Sequence, residues 1–543
     1  MKKLILSLSA MAICVGMSAA VPTLKDQYSG SFDVAAEEAT YSNPSAYDAQ
    51  GNLIITGKFK NEFTFNGVEV YGEGVNNAFI VKYDSSNTPK WAAALAGSAT
   101  ITAVDTDAQG NIYVGGKFAG KVDFLSATTD GEPSISKDGL KDWGEFVGSQ
   151  NAGFIAKYKS DGTLLAVESY VPTVLPAINE AMAANPDALY FGSSDTRCII
   201  SALNIDGTKL YVDANVVGRV EIGTETFDGT FIDMEGWIQD LPSKFVFSLN
   251  TESLDACKKE VSITIDGPLS GYDSPSIADA ASTVVNGKVY AAFVANGVGA
   301  INYVCGENSN KLTLDGSEED YVFFTAEAKN ILKQNTPQSS SPADDIAGLY
   351  VDNGTLYAVA TAKGTIPALS VEASTESTTG VSDIFVASFN ASNLSLNKIT
   401  VYKNDEGADM GAEKPNYETV SSAALVDGSI YINSIVYNYN QDFLRFGGAY
   451  WFDGSAFSFA QGDATGIAVG NGLLALPTSD AAKVSYKTYT FEQKQTAITD
   501  IEAEFDENAP VEYFNLQGIR VDNPSNGLYI RRQGNKVEKI LVK

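Results

Sequence analysis

The stretch DAQGNLIITGKF, residues 48–59, returns almost unchanged as DAQGNIYVGGKF, residues 107–118. In each copy a glycine sits in a polar turn and a short apolar run follows at once. Asp, Asn or Gln beside Gly supplies the positive φ angles of a tight hairpin, and the run after it has strand character. The same signature recurs at Gly207, Gly287, Gly354, Gly428 and Gly472, followed by TKLYV, KVYA, TLYA, SIYI and, within NGLLAL, by LLAL. A second strand repeats downstream of each turn: AFIVKY at Ala78, GFIAKY at Gly153, KFVFSL at Lys244, YVFFTA at Tyr321, IFVASF at Ile384, AYWFDG at Ala449 and VSYKTY at Val484.

These signals divide each repeat into four short strands, A to D. In the first unit A ends near Tyr47, B covers 52–59, C covers 78–83 and D covers 91–95. Short alternating strands punctuated by turns make the chain all-β, and four strands repeated this often predict a β-propeller. We expect seven blades over residues 24–493, with six or eight also compatible with the spacing. The turn glycines lie between 44 residues (Gly428 to Gly472) and 97 residues (Gly110 to Gly207) apart. Most of that variation falls between B and C, with insertions at 125–151, 227–242 and 372–382. Residues 177–184 are expected to form one short helix, followed by a strand at 188–192. In a propeller the B–C and D–A loops share one face, so the insertions decorate a single face. The seventh unit lacks a fourth strand; QYSGSFDV, residues 27–34, is predicted to supply it and close the ring, which removes open sheet edges.

The ends and the composition bound the function. Lys2 and Lys3, an apolar stretch over 4–15, and Ser18-Ala19-Ala20 read as a signal peptide over 1–20. The chain is therefore expected to be secreted or held at the outer surface, with the periplasm as the alternative. Cys14 lacks the small residue before it that lipoprotein processing needs. No later stretch is long and apolar enough to span a bilayer. Acidic residues outnumber basic ones, 67 to 37, which argues against nucleic acid as a partner. The chain has no histidine. That excludes a Ser-His-Asp or Cys-His nucleophile system and histidine-ligated zinc or haem. No cofactor and no metal site is expected. Cys198, Cys257 and Cys305 make no disulfide framework, and free thiols are expected.

The first two units resemble the bacterial β-propeller repeat called SBBP. The matching residues are 107–118 with Phe154 to Tyr158, and 48–59 with Phe79 to Tyr83. An acidic linker at 494–510 leads to a basic tail at 511–543, read as three strands: EYFNLQGIRV, GLYIRR and KVEKILVK. The tail resembles the C-terminal sorting domain of the type IX secretion system of Bacteroidetes, through Tyr513 to Gly518, Val521, Gly527 to Ile530 and Lys539 to Lys543. That resemblance implies passage across the outer membrane by the type IX machinery. The alternative is a small β appendage with no sorting role.

Few side chains point to chemistry. Residues 105–111, DTDAQGN, space oxygen ligands as some calcium loops do, but Gly116 stands where the closing acid should be, and an Asx turn explains the segment. Ser160-Asp161-Gly162-Thr163 lacks the spacer and Trp of a sialidase Asp-box. Trp91 and Trp451 lie in repeat strands and are expected in the core. Trp143 and Trp237 lie in successive B–C insertions, beside Asp142, Glu145 and Glu235. Aromatics flanked by carboxylates suit a sugar ring and its hydroxyls, while the plain alternative is that each Trp plugs its own loop. The A strands read as mostly apolar or small, with Asp105 the acidic exception. The expected function is a non-catalytic binding or interaction module for glycans or proteins. A carboxylate-based carbohydrate-active enzyme and a structural surface protein are the alternatives.

Overall fold

The computed structural model describes residues 21–36, 42–127, 133–140, 150–187, 189–190, 196–234, 237–267, 269, 274–316, 318–335, 345–362, 365–366, 371–372, 383–402, 417–438, 444–460, 464–491, 510–515, 520–525, 527–533 and 536–542. They belong to two compact bodies, residues 1–492 and 493–543. The predicted signal peptide lies outside the described residues.

The larger body is built of four-stranded antiparallel units, seven among the described residues. Unit 1 joins Ser45–Tyr47, Leu53–Phe59, Asn77–Tyr83 and the first half of Pro89–Thr106. Unit 2 takes the second half of that strand with Ile112–Leu125, Ala152–Tyr158 and Leu164–Tyr170. Unit 3 is Arg197–Asp206, Lys209–Val217, Ser243–Asn250 and Lys258–Ile265. Unit 4 is Ser276–Val285, Lys288–Asn296, Glu318–Phe324 and Lys329–Asn335. Unit 5 is Asp345–Asp352, Thr355–Ala362, Asp383–Asn390 and Leu396–Tyr402. Unit 6 is Tyr417–Val426, Ser429–Asn438, Leu444–Phe452 and Phe457–Phe459. Unit 7 is Ala468–Gly470, Leu473–Ser479, Lys483–Phe491 and, from the other end of the body, Leu24–Asp33.

The A strands touch in cyclic order, and that of unit 7 meets that of unit 1. An apolar cluster fills each cleft between neighbours. The body is thus a β-propeller with the A strands innermost. Both faces of every sheet are covered, so the C strands Asn77–Tyr83 and Ala152–Tyr158 are buried at every residue, a burial that needs apolar runs rather than strict alternation. The turns are as the glycines require. Asn286-Gly287, Asn353-Gly354, Asp427-Gly428 and Asn471-Gly472 each have two successive positive φ angles, from 44° to 77°, the two-residue turn that matches strand twist.

The predicted closure is present: Leu24 pairs with Phe491, and the ladder runs to Asp33 opposite Lys483. Three features differ from expectation. The last strand of unit 1 and the first of unit 2 are one 18-residue strand, bent at Gly97, where φ is +129° and a Cβ would lie 2.6 Å from the Lys121 carbonyl. The A strands of units 3, 4 and 6 begin several residues before the runs ISALNI, STVVNG and SAALVDG that mark them in the sequence, at Arg197, Ser276 and Tyr417. The strand expected at 188–192 is described only as Leu189–Tyr190, while the helix is Pro176–Ala184.

The B–C insertions are the largest departure from loops. In units 1 to 5 each contains a β-hairpin that reaches the last strand of the preceding unit. Glu62–Phe65 with Val68–Tyr71 places Phe63 and Phe65 against Phe32 of the closing strand. The extended strand Ile112–Leu125 pairs Phe124 with Leu95 of unit 1. Arg219–Ile222 with Glu225–Asp228 bridges Thr173, just past unit 2. Val298–Cys305 with Asn308–Asp315 extends the sheet of unit 3, and Thr365–Ile366 extends that of unit 4. The outer strand of a blade is an open edge, and these hairpins cover it.

The smaller body is a three-stranded antiparallel sheet, Val511–Phe514, Gly527–Gln533 and Lys536–Val542.

Candidate functional site

The repeat motif itself is scaffolding. The Asp48 carboxylate accepts backbone N–H bonds from Gln50 (3.0 Å) and Asn52 (2.9 Å) and one from the Asn52 side chain (2.7 Å). Asp107 repeats the set with Gln109 and Asn111, and also accepts the Tyr113 hydroxyl at 3.0 Å. Both are Asx turns whose acid oxygens serve their own hairpin. The lysine of each C strand ties neighbouring units together. Lys82 pairs with Asp48 at 2.8 Å and donates to the Ser160 hydroxyl of unit 2 at 2.7 Å. Lys157 donates to the carbonyls of Thr251 (2.8 Å) and Glu252 (3.2 Å) in unit 3. Asp105 is another strut: it accepts the Ile205 N–H across the unit 2–unit 3 cleft at 2.7 Å. Burial raises its carboxyl to about 6 against those bonds.

The inner strands carry a second repeat that their sequences barely show. Units 2 to 6 each have a β-bulge at one place in the A–B pairing, between Ile101 and Ala103, Ile200 and Ala202, Ile277 and Asp279, Ile346 and Gly348, and Val420 and Ser422. A bulge inserts one residue and re-aims its neighbours. Here it lies toward the insertion-bearing end of the A strands, and ionisable residues of five units gather at that end.

Lys244 of unit 3 faces Asp279 of unit 4, 3.9 Å away. Asp279 also accepts the Ile346 N–H at 3.3 Å and shares a carboxyl–carboxyl hydrogen bond with Asp345 of unit 5. Burial first, and then Asp279, hold the Asp345 carboxyl protonated well above the usual carboxylate range. Behind Lys244, Asp213 accepts the Ser282 hydroxyl at 2.6 Å, and burial raises it to about 6. A cavity of about 20 Å³ between Ser201, Asp213 and Lys244 has room for about one water. Burial also lowers the Lys244 ammonium, partly countered by Asp279. Continuing around the mouth, Lys58 of unit 1 and Arg197 of unit 3 each stand close enough to Lys117 of unit 2 to repel its charge. The mouth is thus cationic over units 1 to 3 and acidic over units 4 and 5.

Asp142, Trp143, Glu145 and Glu235 lie outside the described residues. Trp237 opens the strand Trp237–Leu241, opposite Met234. Trp451 is core, while Trp91 is half-buried and donates its indole N–H to the Ser160 carbonyl at 3.1 Å. Cys198, Cys257 and Cys305 are free, with Cys257 half-buried just before the last strand of unit 3. Sequence reading missed Asp279 because it took the A strand of unit 4 from its turn end, and Asp345 because it identified no A-strand run in unit 5. The recurring Ile two residues before the bulge partner was the available signal. A larger hollow, about 670 Å³, runs along the closing strand past Tyr28, Ser31, Tyr486 and Lys487. Among the described residues that line it, none is acidic.

The shared proton has a measurable consequence. Asp345 binds its proton more tightly folded than unfolded, so its contribution to stability is present below the ordinary carboxylate range and lost as pH rises. Asp345→Asn is expected to stabilise the protein at pH 8 by on the order of 1–3 kcal/mol and to have a smaller effect at pH 4. Urea denaturation at both pH values checks this, and a less stable variant at pH 8 would contradict proton sharing.

No protein-family model and no curated protein matches the chain. Among solved structures, BamB from Moraxella catarrhalis is similar at 11% identity and TM-score 0.34, covering 86% of this chain and 100% of its own. A DUF4221 family member from Bacteroides vulgatus is similar at 9% identity and TM-score 0.31, covering 87% and 98%. The β-propeller domain of the Trilobed protease from Pyrococcus furiosus is similar at 8% and 0.28, covering 79% and 97%. Such scores carry no argument about function.

Proposed function

We propose that this chain is an exported, non-catalytic binding module that takes a glycan at the insertion-bearing mouth of the ring. The supporting observation is the ionisable array drawn from five units, with Lys244, Asp279 and Asp345 at its centre. A few fixed donors and acceptors beside a rigid scaffold are what orienting sugar hydroxyls requires. Trp143 and Trp237, from adjacent insertions, are assigned the stacking role, with Asp142, Glu145 and Glu235 as flanking acceptors.

A glycan-array screen of the chain from residue 21 onward tests the reading. We expect a defined glycan set to bind, with about tenfold weaker binding for the pair Lys244→Met and Asp279→Asn, and a loss for Trp143→Ala and Trp237→Ala. Capture of a protein instead of a glycan, or binding that ignores all four substitutions, would replace this reading. We further propose that the tail is a type IX sorting signal and that the propeller is of the SBBP type. A chain lacking residues 511–543 should then stay in the periplasm. Unchanged surface location would remove the sorting role.

A further inference from the structure

Lys58 and Lys117 occupy the same place in two successive repeats, the lysine of each GKF. Each is half-buried in its B strand, opposite a small residue, Ala78 and Gly153 respectively. Among the described residues neither makes a hydrogen bond or an ion pair through its side chain. Other lysines of this body find acids: Lys82 has Asp48, Lys121 has Asp123, Lys258 has Glu260 and Lys311 has Asp266. With 67 acidic residues against 37 basic ones, a lysine set beside two other cations is an arrangement the chain could readily have avoided. Burial and then the like charges of Lys58 and Arg197 hold the Lys117 ammonium below its usual range. Gathering like charges at a partly desolvated site costs stability, and among the described residues neither lysine has an acidic partner to offset that cost.

We infer that Lys58 and Lys117, beside Arg197, form the anion subsite of the mouth and take a carboxylate or sulfate group carried by an acidic glycan. The inference rests on the glycan-binding reading and adds the ligand's charge. It also assigns polarity to the mouth: the anionic group sits over units 1 to 3, and neutral hydroxyls meet Asp279 and Asp345 over units 4 and 5.

The test is calorimetric titration of the chain from residue 21 onward with polygalacturonate, dextran sulfate and neutral dextran. At least one acidic polymer should bind, and which one distinguishes carboxylate from sulfate. The double variant Lys58→Gln, Lys117→Gln should weaken that binding about tenfold or more. Unchanged binding by the double variant, or no acidic polymer bound, overturns the subsite. If dextran binds, ignores the lysine pair and is weakened by Lys244→Met, the glycan reading survives and the anion subsite does not. Thermal melting supplies a readout independent of these polymers. At low salt Lys117→Gln should raise Tm by relieving repulsion. Sodium sulfate should raise the wild-type Tm more than sodium chloride of equal ionic strength, and the double variant should lose that difference. A Tm lowered by Lys117→Gln would show a carboxylate partner for the lysine and overturn the proposal.

Discussion

Asp48→Ala should remove roughly 3–5 kcal/mol of folding free energy, the usual cost of breaking a buried ion pair from one side. The Asp48 and Lys82 side chains are 0% and 3% exposed and 2.8 Å apart. The substitution strands the Lys82 charge and leaves the turn N–H groups of Gln50 and Asn52 without their acceptor. Lys82 keeps the Ser160 carbonyl and hydroxyl, which holds the loss below that of a wholly orphaned charge. Asp107→Ala is the internal control. Asp107 has the same turn but its lysine, Lys157, bonds carbonyls of unit 3 instead, so about 1–3 kcal/mol is expected. Burial pushes the Asp48 carboxyl up, but the bonds from Lys82 and Asn52 outweigh it and the net shift is downward. A depressed acid contributes stability above its unfolded range and loses it as pH falls through the folded value. The gap between wild type and Asp48→Ala should therefore narrow as pH falls from 5 toward 2. Urea denaturation across that window measures it, and equal losses for the two aspartates would refute the buried-pair account.

Removing residues 21–33 should abolish cooperative folding of the larger body. Without Leu24–Asp33 the strand Lys483–Phe491 becomes an open edge, a template for pairing with other chains. Phe32 also leaves the cluster that holds Phe63, Phe65 and Phe79. Loss of one buried Phe alone costs about 3–5 kcal/mol, comparable to much of a domain's net stability. The truncated chain should elute as aggregate in size-exclusion chromatography. A synthetic peptide of residues 21–36, added in excess during refolding, should restore a monomer with the wild-type melting transition. A truncated chain that melts as the wild type does would show that closure contributes little.

The scaffold was legible because its signals are local. A turn that needs positive φ admits few residues, so Gly51, Gly110 and Gly287 mark hairpins wherever they stand. The C strands announce themselves because burial on both faces demands unbroken apolar runs. Closure by Leu24–Asp33 followed from counting, since unit 7 was one strand short. The insertion hairpins were not legible as edge covers. Nothing in Arg219–Ile222 or Val298–Cys305 names the strand it will lie beside, and in each case that strand belongs to the preceding unit. Gly97 could be read as a break between two strands, but not as a bend within one.

For the site the division is sharper. Asp279 and Asp345 lie far apart in sequence, and each is unremarkable within its own strand. The lysine of GKF was quoted as part of a motif, and its charge went unread. By itself the sequence determined the repeat, the all-β class, the hairpin positions and the closing strand, because turn sterics and strand burial act within about ten residues. Only the tertiary structure decided which charges meet. Ring closure brings the same strand end of every unit to one mouth. There Lys244 finds Asp279, Asp279 finds Asp345, and Lys117 finds Lys58 and Arg197.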